Sequence, residues 1–292
     1  MIAQSVARAR AYSSLVKLSH TIFALPFAAS AVVLALARPH LPLTLARVLL
    51  LLLAMAAART AAMAYNRYAD RDVDADNPRT AGREVPRGIV SPKEALLLAM
   101  GAGATFLGAA AMLGTLTLLL ALPVLAVLFG YSHTKRFTWA SHIVLGLALA
   151  LAPGGAWIAM GARPEPAIVA LMLAVLTWVS GFDILYSLQD ASFDREHGLH
   201  SIPARFGTAG ALIASIVLHL FTVLALALAG VWLGRGVAYF VGVALVAALL
   251  TYEHALVGRG NLAKIDRAFF DINGYVSVGF FALTVIDAWL LA

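Results

Sequence analysis

The sequence predicts an all-α, polytopic membrane protein with nine transmembrane helices around a central cavity that opens toward the cytoplasmic side. Of its 292 residues, 62% are hydrophobic and only 12% are charged, whereas a soluble domain carries about 25% charged residues. The apolar residues gather in long runs, and a helix needs about 20 such residues to cross a bilayer. Because backbone groups in lipid must bond to each other, these runs should be helices. We expect a single domain over residues 1–292.

Nine runs meet this length, and proline, glycine or charged residues separate them. The segments ARPHLP after the first run and GARPEP after the fifth are examples of such breaks. The expected spans are 18–37, 44–66, 93–114, 116–133, 140–161, 166–190, 208–231, 236–255 and 267–291.

The positive charges are distributed unevenly over the loops. Sixteen of the 21 lysines and arginines lie at the N-terminus or after even-numbered spans, four lie on the opposite side, and Arg59 lies within the second span. Lysine and arginine are enriched in cytoplasmic loops. We therefore expect an integral protein of a bacterial cytoplasmic membrane, with its N-terminus in the cytoplasm. No basic cluster of the nucleic-acid-binding type is present, so no nucleic-acid partner is expected.

Two acidic clusters stand at the predicted cytoplasmic ends of the second and sixth spans. Asn66, Asp70 and Asp74 repeat every four residues, which would place them on one face of a helix. The second cluster has offsets of 0, 3, 7 and 11, which also fit one helical face; its members are Asp183, Tyr186, Asp190 and Asp194. A carboxylate inside an apolar run is costly and marks a candidate functional site.

The two acidic clusters are expected to face each other across a cavity and to bind a divalent cation. Magnesium prefers oxygen ligands and is commonly held by one or two carboxylates together with substrate phosphates. With lysines and arginines nearby, the inferred ligand is a magnesium-bound phosphate or diphosphate. A solvated, charged loop is the alternative interpretation, because interfacial loops are routinely charged.

At these residues the chain resembles the UbiA superfamily of intramembrane prenyltransferases. The stretch NRYADRDVD matches the first family motif at Asn66, Asp70 and Asp74, with Arg67 in the place of a common aspartate. The stretch DILYSLQDASFD matches the second motif, and PRTAGREVPRG and GYSHTKRFTWASHIVLG are similar to family loops. His200 stands near a position that is often lysine. The segments SHTIFALPFA, GFDILYSLQD and GLHSIPARFG look closest to 4-hydroxybenzoate polyprenyltransferase-like proteins, and within them to the futalosine-pathway menaquinone branch.

This resemblance implies a magnesium-dependent transfer of a polyprenyl group from polyprenyl diphosphate to a small aromatic acceptor. The acceptor would be 4-hydroxybenzoate or a futalosine-pathway naphthoate, in ubiquinone or menaquinone synthesis. Membrane lipid is the surrounding partner, and no obligate protein partner is implied.

The resemblance also implies roles for individual residues. The implied magnesium ligands are Asn66, Asp70, Asp74, Asp190 and Asp194. The implied substrate-binding residues are Arg79, Arg83, Lys135, Arg136 and His200, the first three of them for the diphosphate. Asp183 and Arg136 would contact a polar group of the acceptor, and Tyr186 would shield a carbocation with its ring face.

A proton- or cation-coupled transporter is the alternative function. Transporter sites lie near the bilayer midplane on broken helices, whereas the carboxylates here gather at one interface, which favours the enzyme. Glu253 and His254, at the end of the eighth span, are expected at the membrane interface.

Overall fold

The computed structural model describes residues 11–16, 21–258 and 265–291, apart from the side chains of residues 21, 22, 267 and 268. Within these ranges every regular element is helical. Several basic residues that the topology argument used lie outside them, namely Arg8, Arg10, Lys17, Arg259 and Lys264.

Eleven helices carry the fold of the described chain. They are α1 Thr21–Ala35, α2 Leu45–Ala69, α3 Arg71–Asp76, α4 Pro92–Leu113, α5 Thr115–Thr134, α6 Ser141–Ala159, α7 Pro166–Tyr186, α8 Ala191–Glu196, α9 Ile202–Trp232, α10 Val237–Val257 and α11 Asn273–Leu290. A 3-10 turn at Ser187–Asp190 joins α7 to α8, and a helical turn at Ile265–Arg267 and a π-helical turn at Ala268–Ile272 precede α11.

Eight helical segments of the described chain are long and apolar enough to cross a membrane. The shorter apolar helix Phe23–Ala35 lies within the first predicted span. The predicted all-α, polytopic class is confirmed, and its helices match the nine predicted runs closely.

The seventh predicted span begins six residues late, at residue 208. Helix α9 begins at Ile202, but Gly207 within it has φ +70° and ψ −177°, so the backbone leaves the helical conformation there. Such a positive φ favours glycine, which has no Cβ to clash with the backbone. The apolar pattern therefore marked the part of α9 that follows this kink.

The chain divides into two compact units, Met1–Thr21 with Thr44–His133 and Ile22–Leu43 with Thr134–Ala292. The single domain over residues 1–292 stays a prediction.

In the first unit, α2 packs against α4. Both helices bury small residues at helical spacing, which permits close approach of their backbones. These are Ala54, Ala57, Ala61 and Ala64 on α2 and Ala95, Ala99 and Gly103 on α4. A capping box begins α4, because Ser91 Oγ accepts from the Glu94 backbone N–H and the Glu94 carboxylate accepts from the Ser91 backbone N–H.

In the second unit, α7 packs against both α6 and α9. Two glycines make these contacts close. A Cβ on Gly146 would lie 2.3 Å from the Leu176 carbonyl oxygen, and a Cβ on Gly181 would lie 2.4 Å from the His219 ring. Helix α7 is consequently held on two sides, and the second acidic cluster lies at its C-terminal end.

Candidate functional site

The first acidic cluster lies where one helix ends and another begins. Helix α2 ends at Ala69, Asp70 has φ −95° and ψ 6°, and α3 begins at Arg71. The assumption of one continuous helix is therefore wrong here. The helical spacing nevertheless persists, because the Asp70 N–H donates to the Asn66 carbonyl at 2.9 Å and the Asp74 N–H to the Asp70 carbonyl at 2.7 Å.

The side chains of this cluster bind each other and a basic residue. Asn66 Nδ2 donates to Asp70 Oδ2 at 2.7 Å and to Ser132 Oγ at 3.4 Å. Asp74 is buried, and Arg83 Nη1 donates to both of its carboxylate oxygens, at 2.6 and 2.8 Å. The structure therefore joins the predicted metal ligand Asp74 to the predicted diphosphate ligand Arg83.

A tight loop after α3 positions Arg83. Asn77 organises this loop, since its Oδ1 accepts from the Arg79 N–H at 2.9 Å and its carbonyl accepts from the Thr80 N–H. Thr80 Oγ1 in turn donates to the Asp74 carbonyl at 3.1 Å. The Arg79 side chain is exposed, so the loop separates the environments of the two predicted diphosphate ligands.

Arg67, the residue that departs from the family motif, is buried with 2% of its surface exposed. Its Nη1 donates to Asn66 Oδ1 at 3.3 Å, and its buried Nε has no hydrogen-bond partner among the described residues. The first motif thus contains a fixed guanidinium for which the sequence predicted no role.

The second acidic cluster is also interrupted. Helix α7 ends at Tyr186, and the 3-10 turn Ser187–Asp190 leads into α8. The spacing of the four motif residues had predicted one regular helix. This prediction is wrong, because the 3-10 turn interrupts the helix. A 3-10 turn advances three residues per turn instead of 3.6, which rotates Asp190 and Asp194 relative to Asp183.

Two of the second cluster's carboxylates are buried. Asp194 is 2% exposed and Asp190 is 5% exposed. Lys135 Nζ lies 3.5 Å from Asp194 Oδ2, and the Lys135 carbonyl accepts from the His200 N–H at 2.7 Å. The loop that contains Lys135 is in this way held against the loop that follows α8, while the side chains of Arg136 and His200 are exposed.

Asp183 has a partner on a neighbouring helix. His142 Nδ1 on α6 lies 2.6 Å from Asp183 Oδ2 on α7. The His142 ring is fully buried, and its Nε2 accepts from the Ile202 backbone N–H at 3.3 Å. The two side chains are 41 positions apart, so only the packing of α6 on α7 brings them together.

Tyr186 lies against an aromatic cluster of the second unit. Its ring centroid is 4.2 Å from that of Phe269, which lies 5.3 Å from Phe182 and 5.4 Å from Phe23. Aromatic faces carry partial negative charge and attract cations. Tyr186 is recognisable in the sequence as a motif position, whereas no spacing pattern connects the other rings to it.

The donor set suits magnesium in its chemistry. In each motif a carboxylate oxygen lies beside a basic side chain, and oxygen donors are what Mg²⁺ prefers. Among the described residues, no three His, Cys, Asp or Glu side chains stand close enough together to hold a metal by themselves. A usual magnesium site combines one or two carboxylates with water and substrate phosphates.

The sequence matches a known protein family over most of its length. The model of the UbiA prenyltransferase family matches residues 24–281. The 4-hydroxybenzoate octaprenyltransferase of Vibrio cholerae is 33% identical over 232 residues, which cover 79% of this chain and 81% of that protein. The protein of the same name from Nitrosomonas eutropha is also 33% identical, with 78% and 79% covered.

Solved structures resemble the fold as well. A UbiA homolog from Aeropyrum pernix K1 in its apo form superimposes with a TM-score of 0.83 at 36% identity, covering 92% of this chain and 98% of that one. A UbiA homolog from Archaeoglobus fulgidus bound to GPP and Mg²⁺ superimposes with a TM-score of 0.72 at 23% identity, covering 94% and 99%.

Proposed function

Because this chain belongs to the UbiA prenyltransferase family and is therefore a prenyltransferase, we propose that it transfers a polyprenyl group from polyprenyl diphosphate to a small aromatic acceptor in quinone biosynthesis. The names of the 33% identical relatives support 4-hydroxybenzoate as the acceptor. A futalosine-pathway naphthoate is the second acceptor to test. The protein works inside a membrane, which we propose is a bacterial cytoplasmic membrane with the N-terminus and the mouth of the active site on the cytoplasmic side.

One observation carries this proposal, namely the pairing of a buried carboxylate with a basic side chain in each motif. These pairs are Asp74 with Arg83 at 2.6 Å and Asp194 with Lys135 at 3.5 Å. A magnesium–diphosphate complex carries both charges, so its metal suits the carboxylates and its phosphates suit the basic groups. We propose Asn66, Asp70, Asp74, Asp190 and Asp194 as metal ligands.

The reaction we propose breaks the allylic C–O bond and forms a C–C bond to the aromatic ring. Bound magnesium would neutralise the diphosphate and make it a better leaving group. Arg79, Arg83 and Lys135 bind the diphosphate, which leaves with the bonding electrons, and they stabilise the charge that develops on it. The Tyr186 ring faces the allylic cation. The acceptor ring attacks this cation, and the attacked carbon then loses its proton to the released diphosphate.

Arg136, Asp183 and His200 complete the proposed site. Arg136 and Asp183 contact polar groups of the acceptor. His200 replaces the lysine that is common near this position, and its backbone bond to Lys135 keeps it beside a proposed diphosphate ligand.

A direct assay tests the proposal. Purified protein receives polyprenyl diphosphate, 4-hydroxybenzoate and magnesium, with or without a chelator, and the prenylated product is measured by mass spectrometry. We expect product only with magnesium, and we expect Asp70→Asn and Asp190→Asn each to lower kcat/KM by about a hundredfold or more. Asp76→Asn is the matched control, because Asp76 is exposed on α3 and belongs to neither motif. Full activity of the Asp70 and Asp190 variants, with the wild type active, would contradict the roles proposed for these residues.

A further inference from the structure

A buried histidine holds the carboxylate of Asp183 from a neighbouring helix. His142 Nδ1 lies 2.6 Å from Asp183 Oδ2. The Asp183 side chain is 21% exposed, while the His142 side chain is completely buried. The contact therefore joins a partly accessible carboxylate to a ring that solvent and substrate do not reach.

The backbone fixes which nitrogen of this ring carries the proton. The Ile202 N–H donates to His142 Nε2 at 3.3 Å, so Nε2 is an acceptor and carries no hydrogen. The ring proton must then be on Nδ1, from which it is donated to Asp183 Oδ2. Ile202 begins α9, and the first N–H groups of a helix have no partner within the helix. The start of α9 thus selects the tautomer of His142.

The position of the ring is fixed as well. Ser180 Oγ on α7 donates to the His142 carbonyl at 3.1 Å. One turn further along α6, Gly146 lies so close to α7 that a Cβ would meet the Leu176 carbonyl oxygen at 2.3 Å. His142 is therefore held by contacts with both α7 and α9, and its Nδ1–H is directed at Asp183 without freedom to rotate.

This arrangement leaves Asp183 with one occupied oxygen and one available oxygen. Among the described residues, His142 is the hydrogen-bond donor to this carboxylate, and it uses Oδ2. Oδ1 can accept another hydrogen bond. A carboxylate oxygen in this position favours a hydrogen-bond donor group of a bound molecule. It disfavours a carboxylate group of that molecule, because like charges at short distance repel each other.

We propose that His142 is a positioning residue that keeps Asp183 as a hydrogen-bond acceptor for the hydroxyl group of the aromatic acceptor. This inference rests on the proposed function and deepens it, since it requires a hydroxyaromatic acceptor whose hydroxyl, and not its carboxylate, contacts Asp183. When the ring attacks the allylic cation, positive charge spreads to this hydroxyl and makes it a better donor. The hydrogen bond to Asp183 is then stronger in the transition state than in the bound acceptor, which is the requirement for a catalytic contribution.

Two substitutions separate the two hydrogen bonds of His142. In His142→Asn the side-chain amide nitrogen takes the place of Nδ1 and still donates to Asp183, while the Ile202 N–H loses its acceptor. In His142→Gln the side-chain carbonyl takes the place of Nε2 and still accepts from Ile202, while Asp183 loses its donor. A positioning role and a purely structural role therefore predict different orders for the two variants.

We expect His142→Asn to keep kcat/KM for 4-hydroxybenzoate within about threefold of the wild type, and His142→Gln to lower it by about tenfold or more, as the loss of a hydrogen bond to a charged group predicts. The KM for polyprenyl diphosphate should stay within about twofold in both variants. Thermal unfolding should show the opposite order, with His142→Asn the less stable of the two.

Binding of acceptor analogues supplies a readout without turnover. Calorimetry with 4-hydroxybenzoate and 4-methoxybenzoate measures how strongly the protein prefers a free hydroxyl. We expect this preference in the wild type and in His142→Asn, and its loss in His142→Gln.

Three results would overturn the inference while leaving the proposed function intact. The first is equal kcat/KM for the acceptor in both variants. The second is a change in both KM values that follows the loss of thermal stability, which would make His142 structural only. The third is equal binding of the hydroxy and methoxy compounds to the wild type. If the wild type forms no prenylated product from any hydroxyaromatic acceptor, the proposed function itself fails.

Discussion

Arg83 binds both carboxylate oxygens of Asp74 through a single nitrogen, Nη1. The side chain of Asp74 is only 7% exposed and that of Arg83 is 26% exposed. Removing one partner of such a pair leaves a poorly solvated charge, which costs more than the pair itself contributes.

We expect Arg83→Gln to destabilise the protein by about 2 to 3 kcal/mol and to raise the KM for polyprenyl diphosphate by about tenfold. The double variant Asp74→Asn/Arg83→Gln should regain part of the stability, because neither member of this pair leaves the other as an unpaired charge, but should stay inactive. Thermal unfolding and steady-state kinetics measure the two effects separately. Arg87→Gln, an exposed arginine of the same loop, is the control. A double variant that recovered activity together with stability would limit this pair to a structural role.

The environment of Arg67 indicates that this residue lowers the stability of the protein but is needed for its activity. Its guanidinium is buried, its Nε has no hydrogen-bond partner in the described part of the chain, and its Nη1 bond to Asn66 is long at 3.3 Å. Burial of a guanidinium costs hydration energy, and the hydrogen bonds of Arg67 offset only part of this cost, so an apolar side chain of similar size removes it. We expect Arg67→Met to unfold at the same or a higher temperature, yet to lose about tenfold or more in kcat/KM, because the first motif loses a positive charge beside a proposed metal ligand.

Arg71→Met is the control for this experiment, since Arg71 is partly exposed and donates to the Tyr68 carbonyl. It should retain activity. If Arg67→Met retained activity as well, the guanidinium would have no role in the proposed site; if it failed to fold, the charge would be needed for the structure.

Much of the fold could be predicted because hydrophobic run length is a local property. The nine apolar runs and the period-four spacing of Asn66, Asp70 and Asp74 are visible in the letters, and the backbone bonds across Asp70 preserve that spacing. The breaks at Asp70 and at Ser187–Asp190 could not be predicted, because no proline or glycine marks them. Both breaks lie at the ends of apolar runs, where the chain no longer needs to be regular to satisfy its backbone in lipid.

The contacts within the site could be predicted less well from the sequence. The partner of Asp183 could not be identified, because a histidine 41 positions away reveals nothing of its contacts until α6 is packed on α7. Arg83 was predicted to bind diphosphate, and its position on Asp74 depends on the turns organised by Asn77. The roles proposed for these residues stay predictions.

Glu253, which was expected at the membrane interface, is buried within the protein, with 1% of its surface exposed. Its Oε1 accepts from Asn273 Nδ2 at 2.7 Å, and Asn273 Oδ1 accepts from Trp178 Nε1 at 2.7 Å. Its buried Oε2 has no hydrogen-bond partner among the described residues and lies 3.8 Å from His219 Nδ1. The residue links three helices of the second unit.

We expect Glu253→Gln to be as stable as the wild type or more stable, because glutamine keeps the acceptor for Asn273 and removes a carboxylate oxygen that has no donor. Glu253→Ala should lower stability by about 2 kcal/mol or more, since it removes this acceptor and leaves a cavity. Prenyl transfer by Glu253→Gln should equal that of the wild type in the standard assay. Loss of transfer in this stable variant would show that the buried carboxylate has a function of its own.

Asp287 caps a helix that has no capping side chain of its own. Its Oδ1 accepts from the Tyr239 N–H and its Oδ2 from the Gly236 N–H, both at 3.1 Å, so this residue near the end of α11 binds the start of α10. A carboxylate in this position satisfies two N–H groups that have no partner within the helix and interacts favourably with the helix dipole.

We expect Asp287→Asn to destabilise the protein by about 1 to 2 kcal/mol, because an asparagine amide supplies only one acceptor and no charge. A lower unfolding temperature with unchanged kcat and KM below that temperature would agree with a structural role. Asp266→Asn, an exposed carboxylate of the same unit, should change neither quantity; equal unfolding temperatures for the two variants would contradict the capping role of Asp287.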